Sequence, residues 1–217
     1  MRIRKRVLIP LIGLALVLGV TGYTTPSYIE CRRSDIESHR KLDDIDVVVI
    51  YGGHTTENAA NGYKLADSHG SFVISNGNQR ELEVARRARR EYGFSEEKVI
   101  ELEAETTLSA AIDVYEIART RGFRTMANVS SDNHLITVET LNKRLPKDVS
   151  HTSHPTPNYT KFSKGFQTLE CTTQDAALRM SNKLGGYDSW FGGAVVKVYN
   201  YLAPFGRKLF GGHPTTE

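Results

Sequence analysis

DVVVIYGGHTTENAANGYKLADSHGSFVIS, residues 46–75, decides the fold. DVVVIY (46–51) is a continuous β-branched and apolar run, the pattern of a strand buried on both faces. Small polar residues follow. Residues 55–69 then place Ala59, Tyr63 and Ala66 on one side of a helix. SFVIS (71–75) is a second apolar run.

The same alternation continues toward the C-terminus. Residues 79–92 carry Leu82, Ala85, Ala88 and Tyr92 at helical spacing, and Asn78 with Glu81 has the capping-box pattern at that helix start. KVIELE (98–103) reads as a third strand. Residues 107–120 place Leu108, Ala111, Ile112 and Tyr115 on one helical face. RTMANVSS (124–131) is a fourth strand, and residues 133–145 set Leu135, Val138, Leu141 and Leu145 on one face. A short strand is expected near 148–152, a loop over 154–162 and a helix over 167–183. Strands alternating with helices predict an α/β fold, Rossmann-like and doubly wound on a mostly parallel sheet.

Upstream of this domain the sequence changes character. No charged residue occurs from Val7 to Ile29, and Arg2, Arg4, Lys5 and Arg6 precede that run. About 20 such residues as a helix reach across a hydrocarbon core of about 30 Å. The apolar run from Val7 to Val20 is long for a cleaved signal, and no A-x-A site follows it. We therefore read 1–29 as a signal anchor or transmembrane helix, with a cleaved signal peptide as the alternative, 30–45 as a polar linker or surface helix, 46–185 as the α/β domain and 186–217 as an aromatic and Gly-rich segment. With its basic end in the cytoplasm, the chain crosses a cell membrane once and carries its domain on the exported side.

The chain has 217 residues and a formal charge of +3. Four of its 28 Lys and Arg lie before residue 7, and the remaining 24 face 25 Asp and Glu. The basicity is an N-terminal address, so nucleic acid is not an expected partner. Cys31 and Cys171 are the two cysteines. In an exported domain they either form one bridge or stay as two thiols. The segment 187–212 reads either as a last helix packed on the sheet or as an interfacial segment with Trp190, Phe191, Tyr199, Tyr201 and Phe205 near lipid headgroups.

Ligands of open parallel sheets bind outside the carboxyl ends of the strands. Strand one ends in Gly52 and Gly53, strand two in Ser75, Asn76 and Gly77, strand three in Glu103 before Thr106 and Thr107, and strand four in Ser130 and Ser131 before His134. Each stretch runs into a helix N-terminus, where unpaired N–H groups favour an anion. These residues serve equally as caps and turns. There is no G-x-G-x-x-G and no Walker lysine, so no dinucleotide site is indicated and the cofactor is unknown. His134 is the candidate for acid–base work. Glu83 is the candidate to orient a ligand hydroxyl or pair with His134, or else a solvated residue beside Arg86 and Arg87. His151 and His154, with His134 and His54, offer a rival metal reading that lacks an acidic partner at the expected spacing.

Four stretches resemble the YdcF/SanA/ElyC domain family over residues 46–150. They are Val47 to Gly53; Ser75 and Gly77 with Glu81 or Glu83 on the next helix; Glu101 through Thr106-Thr107-Leu108-Ser109-Ala110-Ala111; and VSSDNH (129–134). Thr106 stands where the family has Asn or Asp, Ala110 where it has Asn, and Thr137 where an Arg commonly follows the His. The resemblance implies a Rossmann-like domain, an inner-membrane setting tied to envelope integrity, and an anionic ligand, phosphorylated or lipid-linked. A non-catalytic envelope assembly or binding module is the alternative it leaves open, favoured by the missing Arg.

Overall fold

The computed structural model describes residues 22–32, 44–52, 56–156 and 164–210. In chain order the elements are helix α1 (22–32), β1 (Val47–Tyr51), α2 (Thr56–His69), β2 (Phe72–Gly77), α3 (Gln79–Tyr92), a 3₁₀ turn (Glu96–Lys98), β3 (Val99–Glu103), α4 (Thr107–Arg121), β4 (Thr125–Ser131), α5 (Asp132–Asn142), β5 (Ser150–Thr156), α6 (Lys164–Lys183) and α7 (Trp190–Phe210). The five strands form one sheet in the order β3-β2-β1-β4-β5. Every pairing is parallel. The expected doubly wound α/β architecture is therefore present.

β1 lies at the centre because it is the most apolar strand, and all five of its residues are buried. Side chains alternate across a strand, so one strand feeds two cores. Val47, Val49 and Tyr51 join Leu108, Ala111, Tyr115, Val138, Leu141 and Leu178 from α4, α5 and α6. Val48 and Ile50 join Ala59, Tyr63, Ala66, Ala85 and Ala88 from α2 and α3. At Gly62 a Cβ would stand 2.5 Å from Ile50 Cγ1, so α2 sits against β1 with no room for a side chain there. The capping box expected at α3 is formed: the Asn78 side chain accepts from the Glu81 N–H and the Glu81 carboxylate accepts from the Asn78 N–H.

The register of β1 against β4 is reinforced by Asp46. Its carboxylate accepts from the N–H groups of Arg124 (2.7 Å) and Thr125 (2.9 Å) and from the Thr125 hydroxyl (3.0 Å). Burial alone would push this carboxyl up, but those three donors and the Arg124 charge outweigh it and hold the Asp46 carboxyl below its ordinary value.

α1 is fastened to the domain. Cys31 and Cys171 form a disulfide, with Cα atoms 6.0 Å apart. Next to it, Glu30 accepts from Arg144 and Arg179, and both arginines also bind Asp175, at 3.0 and 2.6 Å. Asp175 is fully buried, so the two guanidinium groups supply the pairing that its charge requires. Glu30 and Cys31, read as the start of a linker or surface helix, lie in α1 and are tied to Arg144, Arg179 and Cys171.

The placement of the last strand needs adjustment. The fifth strand falls at Ser150–Thr156 and not near 148–152, so His154 and Pro155 lie in a strand instead of a loop. SHTSHPT has no apolar alternation; it is a strand because it pairs with β4 along seven register positions. Pro155 is tolerated since β5 is an edge with one side unpaired. The aromatic C-terminal segment is a helix, α7, that packs along α6 and contributes Val196 and Tyr199 to the core. The expected apolar span over 7–29 lies outside the described residues except for 22–29. Among the described residues no helix is long and apolar enough to cross a membrane.

Candidate functional site

The strand order reverses direction between β1 and β4, so the crevice of a doubly wound sheet lies at their carboxyl ends. β1 closes on Tyr51 and Gly52. Gly52 takes the left-handed conformation (φ 54°), and its N–H donates to the Asn76 carbonyl at 3.2 Å. Gly53 and His54 lie outside the described residues. β4 closes on Ser130 and Ser131, both buried.

His134 stands at this point, in the first turn of α5. The Ser130 hydroxyl donates to the Tyr51 carbonyl at 2.7 Å. Its single proton is thereby used, so toward the His134 ring, 3.2 Å away, Ser130 Oγ acts as acceptor and Nδ1 carries a hydrogen. In the neutral ring Nε2 is then the acceptor, and the Thr107 hydroxyl, 2.9 Å away, donates to it. A hydroxyl–imidazole–hydroxyl chain thus runs from α4 through α5 to β4 and ends on the β1 backbone. The Tyr51 ring meets His134 edge-on with centroids 6.2 Å apart. Such a chain fixes the imidazole and lets it take a proton from Thr107 or deliver one to a bound group.

Among the described residues, Tyr51 Oη and Asn76 Nδ2 are buried without a hydrogen-bond partner. Tyr51 and Asn76 are register partners, so both side chains lie on the α4 face of the sheet. Burial pushes the Tyr51 hydroxyl far up, so it stays a protonated donor. Ser131 occupies the N-cap position of α5 and makes no side-chain capping bond.

Other expected site residues have different roles. Thr106 caps α4: its oxygen accepts from the Ser109 N–H at 3.0 Å, and its hydroxyl donates to Asn200 Oδ1 of α7 at 2.7 Å. Both capacities are in use, so Thr106 serves structure. Ser75 is buried one position before Asn76 and so faces α2, where it hydrogen-bonds Tyr63. Gly77 makes room for a cap, since a Cβ would lie 2.5 Å from Glu81 Oε2. Glu103 is exposed and accepts from Gln79 at 2.5 Å. Glu83 is exposed on α3, where its charge acts on Arg86; His134 is engaged by Thr107 and Ser130 instead. Arg86 forks onto Glu101 at 2.8 and 2.6 Å. That bond is the leading cause that keeps the Glu101 carboxyl below its usual range. Thr137 is buried.

Of the metal candidates, His151 and His154 are three apart in β5 and so point to opposite faces of the sheet. Among the described residues no three His, Cys, Asp or Glu converge. Tyr51 was not singled out in the sequence, where it reads only as the last apolar residue of a core strand. Its position at a strand terminus was the available signal. No protein-family model matches the chain, and no curated protein matches it.

Proposed function

We propose that the chain is a membrane-anchored, outward-facing domain of the YdcF/SanA/ElyC type. It binds an anionic small ligand, phosphorylated or lipid-linked, in the biogenesis or maintenance of a cell envelope. One observation carries the binding half of this reading. Among the described residues, Tyr51 Oη and Asn76 Nδ2 are buried donors without an acceptor, at the carboxyl ends of β1 and β2 on the α4 face of the sheet, and the Tyr51 ring meets His134. Leaving buried donors unsatisfied costs roughly 1–3 kcal/mol each, and an acceptor-rich ligand removes that cost. The Cys31–Cys171 bridge supports an oxidising, exported location, and the basic residues 2–6 before an apolar run support the orientation.

The test is thermal unfolding of the full chain in detergent with a polyprenyl phosphate, the matching neutral prenol, inorganic phosphate and Zn²⁺. A ligand at 100 times its Kd adds about 2.7 kcal/mol, which at this size raises Tm by roughly 5–10 °C. The phosphate-bearing compounds shift Tm, the neutral prenol and zinc do not, and Asn76→Ala diminishes the shift. A response to zinc alone refutes the reading.

The Thr107–His134 pair at 2.9 Å favours a second, catalytic reading in which His134 moves a proton during turnover of the bound compound. His134→Gln separates the two. Under the binding reading it weakens the Tm shift and nothing else; under the catalytic reading the bound compound is no longer converted while its Tm shift persists.

A further inference from the structure

α7 presents an apolar stripe to the outside. Trp190 is 80% exposed, Phe191 63%, Val198 57%, Tyr201 72% and Leu202 54%. At 100° per residue these five positions and Ala194 fall within one third of the helix circumference. The opposite arc is fixed to the domain: Val196 and Tyr199 pack on the core, and Asn200 Oδ1 accepts from Thr106. The stripe is therefore held outward by contacts on the far side of its own helix. Scattered surface hydrophobics are ordinary, but a continuous stripe of five large ones on one helix marks an interaction surface.

Two more observations identify the occupant. α7 carries Lys197, Arg207 and Lys208 and not one Asp or Glu, which suits anionic headgroups. The uncharged run that begins at Val7 ends at Ile29, and Cys31 follows two residues later. Cys31 is bonded to Cys171 in α6, and α6 packs along α7. Tyr28 and Ile29 on α1 are also exposed, at 46% and 42%. The disulfide thus holds α7 one helix away from the end of the uncharged N-terminal run.

We propose that α7 lies in the headgroup region of the bilayer that holds the chain's own N-terminal segment, with Trp190, Phe191, Val198, Tyr201 and Leu202 directed into the lipid. The occupant rests on the anchor reading above. The helix is then a second, peripheral contact, and with the disulfide it sets the orientation of the domain on the surface. Aromatic and aliphatic side chains at this depth bury apolar area while the lysine stays in the headgroup layer.

Trp190 is the only tryptophan of the chain, so intrinsic fluorescence reports α7 directly. The experiment reconstitutes the full chain in phosphatidylglycerol-containing vesicles, with and without lipids brominated near the carboxyl end of the acyl chains. Emission is expected to be blue-shifted and quenched at least twofold by the brominated lipid, with iodide ineffective. Val198→Glu with Leu202→Glu, both on the solvent side of the fold, restores emission while the chain stays in the carbonate-washed vesicles. Water-like emission quenched by iodide, from a chain that stays in the vesicles, overturns the proposal. So does a blue shift without lipid quenching in a chain that has doubled in size, which makes the stripe a dimer interface. A chain stripped by carbonate overturns the anchor; quenching that persists in the unwashed sample then supports α7 alone, and its loss overturns both.

Discussion

Replacing both Cys31 and Cys171 by Ser tests how α1 is held. The bridge closes a loop across a sequence separation of 140. In the chain-entropy treatment a loop of that length restricts the unfolded ensemble by about 5 kcal/mol at 25 °C. The folded side moves too. Without the bridge α1 is retained by the Glu30 pairs with Arg144 and Arg179, whose side chains are about one quarter exposed. Partly exposed pairs of this kind contribute about 1 kcal/mol, so release of α1 recovers part of the difference. The net destabilisation is about 3–5 kcal/mol. With a urea slope of about 2.5 kcal/mol per M, the midpoint falls by about 1–2 M. The assay is urea unfolding followed by far-ultraviolet circular dichroism, comparing the double variant with the oxidised chain. Dithiothreitol should move the oxidised chain to the variant's midpoint and leave the variant unmoved. An unchanged midpoint, or two titratable thiols in the unreduced protein, would refute the reasoning and with it the support for an oxidising compartment.

Gly62→Ala places a Cβ against Ile50 Cγ1 and Cδ1, at 2.5 and 2.6 Å, and should cost about 1–3 kcal/mol. Adding Ile50→Ala removes both atoms, so a double-mutant cycle on urea midpoints should show the pair less destabilised than the sum of its parts. Asp46 makes stability depend on acid. Its folded-state value lies below that of the unfolded chain, so the contribution is complete above about pH 4 and is lost as pH falls through the folded value. Asp46→Asn should flatten that acid limb when unfolding is followed between pH 2 and 5.

The central strands were legible because their reasons are local. Val47 to Tyr51 is apolar at every position and can only be a strand buried on both faces. The Asn78–Glu81 cap spans four residues, and its chemistry is complete within them. β5 was misplaced because SHTSHPT has no apolar alternation, and its reason for being a strand is the neighbouring edge of β4. Ser75 and Asn76 looked equivalent in the chain, yet adjacent residues of a strand face opposite ways, and only the packing of α2 and α4 decides which face meets His134.

By itself, then, the sequence determined an alternating parallel α/β domain behind a basic and apolar N-terminus, together with the small polar ends of its strands. These follow from the periodicity and propensity of neighbouring residues. Tertiary structure alone decided that Cys31 meets Cys171, that His134 stands between Thr107 and Ser130, and that the aromatic face of α7 turns outward. The disulfide and the Thr107–His134 bond join residues 140 and 27 positions apart, and α7 is oriented by Asn200 meeting Thr106 across 94. Contacts at such separations come from how the helices pack on the sheet, which no local pattern encodes.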